Sequence, residues 1–252
     1  MQVHIVSLFP EYFRGPFDCG PTRIAREKNL LSIDAVNPRD FTDDAHRTVD
    51  DYPFGGGAGM VLKPEPLFKA VESVRTRSSR VVLLSARGRL FDQETAQRYS
   101  ETPHLILVCG RYKDVDERVR AGLVDEEVSI GDFVTAGGEA AAVVVIEAFA
   151  RLLPGVVEHE ESVNTDSFAP GRRLLDAPWY TRPRVFRDMP VPEVLVSGDH
   201  AQVAKWRREQ SLLLTARRRP ELLQDEVLSE SEREFLMLHI EEEFTNGQEE
   251  TD

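Results

Sequence analysis

The chain has 252 residues, 41% of them hydrophobic, a length that allows one large domain or two modest ones. Its two cysteines, Cys19 and Cys109, form no C-x-x-C pair, so neither a disulfide framework nor a zinc site is indicated. The formal net charge of −13 argues at first against a nucleic-acid partner, and no apolar run reaches the roughly 18 residues of a membrane span.

The first residues, MQVHIVSLFP, lack the charged region and the long apolar region of a signal peptide. Together with the two unpaired cysteines, this start predicts a soluble protein of a reducing compartment. We therefore expect a cytoplasmic protein with no membrane partner.

Short apolar runs alternate with helix-like segments through the first 155 residues. Several runs are apolar on both faces, as strands inside a parallel sheet tend to be. The runs occupy residues 3–9, 30–36, 80–86, 104–110 and 126–131. The segments between them are predicted to be helices that cover the sheet, and they occupy residues 22–30, 65–75, 92–101 and 116–123. This alternation predicts an α/β domain over residues 1–157 with a mainly parallel sheet.

A glycine-rich loop, HRTVDDYPFGGGAGMV, occupies residues 46–61 within this pattern. Its four glycines lie beside the acids Asp50 and Asp51. Carboxylates accept hydrogen bonds from the amino groups of bases, so the loop is a candidate base-binding segment. The alternative is an ordinary mobile surface lid.

The stretch SIGDFVTAGGEAA, residues 129–141, precedes a nearly apolar run from Ala140 to Leu153. A glycine-rich turn that opens a helix usually binds phosphate through free backbone N–H groups. The spacing, however, matches neither dinucleotide nor P-loop patterns, and Glu139 stands where it would repel phosphate. The stretch therefore predicts a ligand that needs a glycine loop but no phosphate pocket.

Two other loops follow predicted strands, LLSARGR at residues 83–89 and LVCGRYKDVDERV at residues 107–119. Ligands of open α/β sheets bind beyond the carboxyl ends of the strands. Three such loops could enclose a small molecule and read an adenine edge with main-chain groups, since glycine lets the backbone approach closely. The alternative is that Gly110, Gly137 and Gly138 only permit tight turns.

Residues 158–173 are polar and without periodicity, and they contain Pro170 and Gly171, which predicts a flexible linker. Beyond it, helical patterns cover residues 199–219, with Asp199 as the N-cap, and residues 229–244. We expect a small all-helical domain over residues 174–252 that ends in an acidic tail.

Charge is unevenly distributed along the chain. Twelve of the 44 acids and one of the 31 lysines and arginines lie between Glu221 and Asp252, so the rest of the chain carries 32 acids and 30 bases. Bases cluster between residues 172 and 219. Phosphate backbones respond to local basic stripes rather than to the total charge. The alternative is that these bases are solvated helix faces.

Two polar residues near the linker have ordinary interpretations when taken alone. Asp166 is typical of an Asx turn or a helix cap, and Arg151 follows Glu147 at the spacing of an i,i+4 ion pair. His46 and His200 have no second ligand at metal spacing, so we infer no metal site.

A series of motifs in chain order closely resembles bacterial tRNA (guanine-N1)-methyltransferases, which belong to the SPOUT class. The motifs are SLFPEYF, NPRDFTDDAHRTVDDYPFGGGAGM, VCGRYKDVDERV, SIGDFVTAGGE, ARLLPGVV, DSF, YTRP and KWRREQSL. The resemblance implies methylation of N1 of the guanosine at tRNA position 37, just 3′ of the anticodon, by S-adenosylmethionine. It also implies a deep trefoil knot in the α/β domain, and a homodimer in which the linker orders over the partner's active site.

The resemblance places the cofactor on the three strand-end loops. Glu139 is then no obstacle, because this cofactor carries a sulfonium and no phosphate. The implied cofactor residues are Leu84, Ser85, Gly88, Gly110, Tyr112, Lys113, Ile130, Gly131, Asp132, Phe133, Val134, Thr135, Gly137 and Gly138. Asp166 matches the general base that removes the N1 proton, and Arg151 matches the arginine beside the guanine. A Mg²⁺ ion is the alternative means of making N1 acidic, although no magnesium motif is visible.

The resemblance also assigns the RNA contacts. Asp50 and Gly59 match positions that contact the preceding guanosine. The helical domain would hold the anticodon stem of the tRNA, with no role for DNA, through Arg182, Lys205, Arg207 and Arg208. This assignment reconciles an acidic chain with an RNA partner.

The chain departs from the family at several cofactor positions. The family commonly has an acid where Lys113 stands, a tryptophan at Val128, a tyrosine at Phe133 and a leucine at Thr135. It commonly has Leu-Pro at residues 140–141. Two alternatives therefore stay open: a related knotted RNA methyltransferase with another target, and a non-catalytic RNA-binding relative in which Lys113 spoils the cofactor pocket.

Overall fold

The computed structural model describes residues 1–157, 165–169, 172–224 and 228–249, with side chains of the last helix through His239. The chain divides into two compact units, Met1–Glu158 and His159–Asp252, which lie close to the predicted domain limits. Most of the predicted linker and the end of the acidic tail lie outside the described residues.

The first unit is built on a five-stranded sheet in the order β2-β1-β6-β5-β7. Every neighbouring pair in it is parallel, which confirms the predicted α/β class. Its strands are β1 (Gln2–Val6), β2 (Ser32–Val36), β5 (Ser79–Leu90), β6 (His104–Cys109) and β7 (Glu126–Ser129). Each of the five predicted strands is present. The trefoil knot stays a prediction.

Five α-helices of this unit follow the predicted segments, and local signals start several of them. Asp92 caps α3 by accepting from the Thr95 N–H at 2.8 Å, and Asp116 caps α4 by accepting from the Arg118 N–H at 2.9 Å. The helices are α1 (Gly20–Glu27), α2 (Pro64–Glu72), α3 (Gln93–Ser100), α4 (Glu117–Leu123) and α5 (Glu139–Ala150).

Helices cover both faces of the sheet, so β6 is buried along its whole length. Leu105 and Leu107 pack with side chains of α1, α3 and α5, whereas Ile106 and Val108 pack with α2 and α4. Alternate residues of a strand point to opposite faces, and here both faces are core. This packing explains why the strand is apolar throughout.

Two short strands, β3 (Asp50–Asp51) and β4 (Val61–Leu62), form an antiparallel pair around the glycine-rich loop. Two residues are too few to show an alternating pattern, so the sequence did not predict them. The Leu62 N–H donates to the Asp114 carbonyl at 3.0 Å, and the Asp116 N–H donates to the Leu62 carbonyl at 2.9 Å. The pair is thereby fixed to the loop after β6.

The second unit contains α6 (His200–Arg218) and α7 (Glu230–Glu249). Asp199 caps α6 as predicted, accepting from the N–H groups of Ala201 and Gln202 at 3.0 and 3.1 Å. A core of four leucines, at positions 174, 212, 213 and 236, joins the two helices and the segment before them.

The second unit is not all-helical, which corrects the prediction. A short hairpin joins β8 (Val185–Phe186) to β9 (Met189–Pro190). Its turn residues, Arg187 and Asp188, both have positive φ, at 48° and 60°. Hairpin turns of this kind are usually recognised in a sequence from an asparagine or a glycine, and the turn residues here are neither. Within the described part of the chain, no helix combines the length and the apolar character that crossing a membrane requires.

Two histidines meet between neighbouring strands of the sheet. His4 Nδ1 lies 2.8 Å from His104 Nε2, and His104 Nδ1 lies 2.7 Å from Ser79 Oγ. Burial lowers the pKa of both imidazoles below 6.5. The charge of His4 lowers the pKa of His104 further, whereas Asp34 acts in the opposite direction on His4. The folded protein therefore favours the neutral rings.

We predict a loss of stability in acid that traces to this pair. Because the folded-state pKa values lie below the unfolded value, the unfolded chain binds more protons below about pH 6.5 and the free energy of unfolding falls there. His4→Gln removes one titrating ring and should reduce the loss between about pH 7.5 and about pH 5.5, measured by urea unfolding. An identical loss in both proteins would exclude the pair as its source.

Candidate functional site at the strand ends

The three predicted loops surround one cavity of about 190 Å³ at the carboxyl ends of β5, β6 and β7. Main-chain groups, apolar side chains and few charges line it. The lining residues are Leu84, Ser85, Ala86, Gly110, Arg111, Tyr112, Lys113, Asp114, Val128, Ser129, Ile130, Gly131, Phe133, Val134, Thr135, Ala136, Gly137, Gly138 and Ala141. The strand ends thus converge as the parallel topology requires.

Most of the residues predicted to bind cofactor line this cavity, but Gly88 and Asp132 do not. Gly88 packs between strands instead: a Cβ there would lie 2.4 Å from the Val128 nitrogen. The strand register shifts at this point, since Leu84 and Arg89 both face Val128. Lining residues that the sequence did not single out as cofactor contacts are Ala86, Arg111, Asp114, Val128, Ser129, Ala136 and Ala141. Of these, only Arg111 and Asp114 carry a charge that could have marked them in the sequence.

A buried carboxylate joins three segments beside the cavity. Glu139, at the first turn of α5, is 1% exposed. Its Oε1 accepts from the Ser7 hydroxyl at 2.7 Å, and its Oε2 lies 3.2 Å from Arg111 Nε. The Arg111 guanidinium also lies over the Phe9 ring, 4.3 Å from its centroid. The acid that the sequence placed at the ligand is therefore neutralised by an internal ion pair.

Two glycines bring the main chain close to this pair. A Cβ on Gly137 would lie 2.4 Å from both Arg111 Nε and Glu139 Oε2, and one on Gly138 would lie 2.8 Å from Cys109 Cα. The Gly138 N–H donates to the Gly110 carbonyl at 3.0 Å. Close approach, rather than a turn with positive φ, is what requires glycine at residues 137 and 138.

A second ion-pair centre lies on the other side of the loop after β6. The Arg120 side chain is 8% exposed and reaches Asp114 Oδ2 at 2.6 Å and Glu127 Oε1 at 2.5 Å. Tyr112 and Asp114 have φ of 62° and 128°, a region that non-glycine residues rarely adopt. Contacts on both sides of the loop hold it in this conformation.

The glycine-rich loop of residues 55–59 touches the cavity loop. Gly59 has φ of +97°, and a Cβ on it would lie 3.0 Å from Lys113 Cγ. The Lys113 N–H donates to the Met60 carbonyl at 2.9 Å. Asp50 pairs with Leu62 in the adjoining strands. The residues predicted to contact RNA, Asp50 and Gly59, are thus connected to the predicted cofactor loop.

The two predicted catalytic residues belong to different units. Arg151 follows the last turn of α5 and is half-buried. Asp166 is half-buried in the second unit, where its carbonyl accepts from the Ala169 N–H at 3.2 Å. Among the described residues, no three His, Cys, Asp or Glu side chains group together as metal ligands.

The predicted RNA-binding side chains of the second unit differ in their surroundings. Arg208 Nε lies 2.7 Å from Glu232 Oε1, and Lys205 Nζ lies 3.8 Å from Glu209 Oε1. Arg207 lies over the Trp179 ring, 4.1 Å from its centroid. Arg182 is exposed. These side chains therefore differ in how available their positive charge is for RNA, because Glu232 already pairs with Arg208.

Comparison with known proteins extends over both units. A family model described as tRNA (Guanine-1)-methyltransferase TrmD matches residues 1–225. Two proteins named tRNA (guanine-N(1)-)-methyltransferase illustrate the similarity. The one from Dictyoglomus turgidum is 48% identical over 236 residues, covering 94% of this chain and 95% of that protein. One from Dehalococcoides mccartyi is 48% identical over 250 residues, covering 98% and 100%.

We predict that Glu139→Ala lowers the free energy of unfolding by about 3 kcal/mol, because it strands the guanidinium of Arg111 in a largely buried site. The same measurement on Arg23→Ala, which breaks the exposed pair with Glu27, should show a loss of less than about 1 kcal/mol. Urea unfolding provides both values. A loss for Glu139→Ala as small as the control would show that the pair does not hold the loops.

Proposed function

This chain belongs to the tRNA (guanine-1)-methyltransferase family, and from that premise we propose that it methylates N1 of a guanosine in tRNA. One observation supports the proposal independently of membership of the family. The three loops that the family uses for its cofactor meet at a single cavity, with glycine main chain at its wall. A site of this kind binds a ligand through close main-chain contacts.

We propose S-adenosylmethionine as the cofactor, which supplies a methyl group bound to a sulfonium. The cavity suits it because Gly110, Gly137 and Gly138 bring the main chain to its wall and no phosphate contact is needed. At about 190 Å³ the cavity is smaller than the pockets of roughly 300–1,000 Å³ that enclose a drug-sized ligand. We propose that the cavity encloses the adenosine part and that the rest of the cofactor extends toward the substrate.

We assign the chemistry to Asp166 and Arg151. Guanine N1 carries a proton at neutral pH and attacks only when that proton leaves. Asp166 accepts the proton, while Arg151 stabilises the negative charge that develops on O6. A carboxylate is a weak base toward this N–H, so the guanidinium must make N1 more acidic. The resemblance also allows a Mg²⁺ ion to make N1 more acidic, and that role stays a prediction.

The substrate contacts are proposed for both units. Asp50 and Gly59 adjoin the cavity loop through Lys113 and Met60, so a guanosine preceding position 37 would lie beside the methyl donor. Basic side chains of the second unit would hold the anticodon stem-loop. We also propose the homodimer that the resemblance implies, in which the linker orders over the active site of the partner.

We predict that the protein binds S-adenosylmethionine in isothermal titration calorimetry and then methylates unmodified tRNA. Mass mapping of the product should locate the methyl group on N1 of the guanosine at position 37. A tRNA with adenosine at that position is the control and should stay unmodified. A lack of cofactor binding at about millimolar concentration, an affinity near only −4 kcal/mol, would exclude the proposed cofactor.

We predict that Asp166→Ala lowers kcat by about 10²–10⁴-fold while leaving cofactor binding intact, because only proton removal is lost. Asp166→Asn is the matched variant, since it keeps the shape and removes the charge, and should lose as much. Single-turnover methylation with saturating tRNA measures both. Unchanged turnover in either variant would show that Asp166 is not the base that accepts the N1 proton.

A further inference from the structure

The second unit carries an exposed tryptophan whose ring is engaged on one face. Trp179 is 62% exposed, and Arg207 Cζ lies over its ring, 4.1 Å from the centroid. A guanidinium over an indole is an attractive cation–π contact, and tryptophan is the strongest partner for it. The pair therefore places a defined cation at the surface of the second unit.

Asp176 fixes the orientation of the indole. Its Oδ2 accepts from Trp179 Nε1 at 2.6 Å, and its Oδ1 accepts from the Ala177 N–H at 2.7 Å. The Asp176 N–H in turn donates to the Ser167 hydroxyl at 2.9 Å. Both carboxylate oxygens are therefore occupied, and the exposed ring has a defined direction.

The segment that carries Trp179 is anchored to α6 on the same face as Arg207. The Leu175 N–H donates to Thr215 Oγ1 at 3.0 Å, and the Ser211 hydroxyl donates to the Leu175 carbonyl at 2.5 Å. Residues 207, 211 and 215 are spaced by four, so they share one face of the helix. The two hydroxyls thus set the register that brings Trp179 onto Arg207.

The N–H donors of Arg207 are uncommitted in this arrangement. Across the described ranges of the chain, no carboxylate or carbonyl accepts from its guanidinium, whereas the neighbouring Arg208 donates to Glu232. A guanidinium has five donors in its plane, and contact with an indole through its central carbon leaves them available. Among the described residues, Arg207 is therefore a positioned cation without an acidic partner.

We propose that Asp176 and Trp179 are positioning residues that hold Arg207 for a phosphate of the tRNA backbone. This inference rests on the proposed function and specifies how the second unit grips its substrate. Phosphate oxygens accept parallel N–H bonds from arginine, and a side chain held in place beforehand loses less entropy on binding. Direct stacking of Trp179 on an RNA base is the competing outcome.

The test measures tRNA affinity at several salt concentrations. Arg207→Gln should weaken binding about tenfold and reduce the slope of log K against log salt by about 0.9, the value for one lost phosphate contact. Trp179→Leu should reproduce most of both effects, whereas Trp179→Phe, which keeps a ring, should restore most of the affinity. The double variant Arg207→Gln/Trp179→Leu should bind no more weakly than Arg207→Gln.

Each outcome decides for or against the positioning role. Losses that add in the double variant would mean that Trp179 contacts RNA by itself, and would overturn the proposal. Arg184→Gln is the matched control, because both carboxylate oxygens of Glu193 already accept from that arginine at 2.9 Å. An equal fall in slope for this control would assign the effect to net charge and also overturn it.

A spectroscopic readout covers the case in which Trp179→Leu fails to fold. The chain has two tryptophans, so Trp206→Phe leaves Trp179 as the only indole. Its emission should change on titration with tRNA, and the change should shrink when Arg207→Gln is added. Unaltered emission at saturating tRNA contradicts the proposal. Methylation by the unmodified chain is assayed separately, so a failure here is distinguishable from a failure of the proposed function.

Discussion

The carboxylate of Glu139 is buried at the start of α5, where it accepts from the Ser7 hydroxyl and pairs with Arg111. Removing one member of such a pair leaves an uncompensated charge in a site from which water is excluded. The ion pair therefore holds the segment after β1, the loop after β6 and the loop before α5 in one arrangement. The cavity has a defined shape because these three segments cannot move independently.

The loop after β6 lies between two ion-pair centres, with Arg111 on Glu139 and Arg120 on Asp114 and Glu127. Two centres explain how this loop keeps positive φ at Tyr112 and Asp114, a conformation that few side chains adopt unaided. A site held in place before its ligand arrives loses less entropy on binding. A cavity whose loops are fixed in this way has little reorganisation left to occur when a ligand binds.

The two units place different chemistry on the same chain. The first offers main chain at glycines, with Arg111 and Arg120 paired to acids beside the cavity. The second offers side chains, among them Arg207 on Trp179, whose guanidinium donates to no acid in the described part of the chain. An acidic chain can present positive charge to RNA in this way, because phosphate backbones respond to local basic side chains rather than to the net charge.

The sequence by itself determined the five strands, the helices that cover them and the cap at Asp199, because periodicity and capping involve residues close together in the chain. It also located the three cavity loops. Only the tertiary structure decided that Glu139 is an internal ion-pair partner, since Arg111 lies 28 residues away from it and Ser7 lies 132 residues away. Likewise, whether Gly88 borders a ligand or a neighbouring strand depends on which backbone packs against it, and no local pattern records a contact between distant segments.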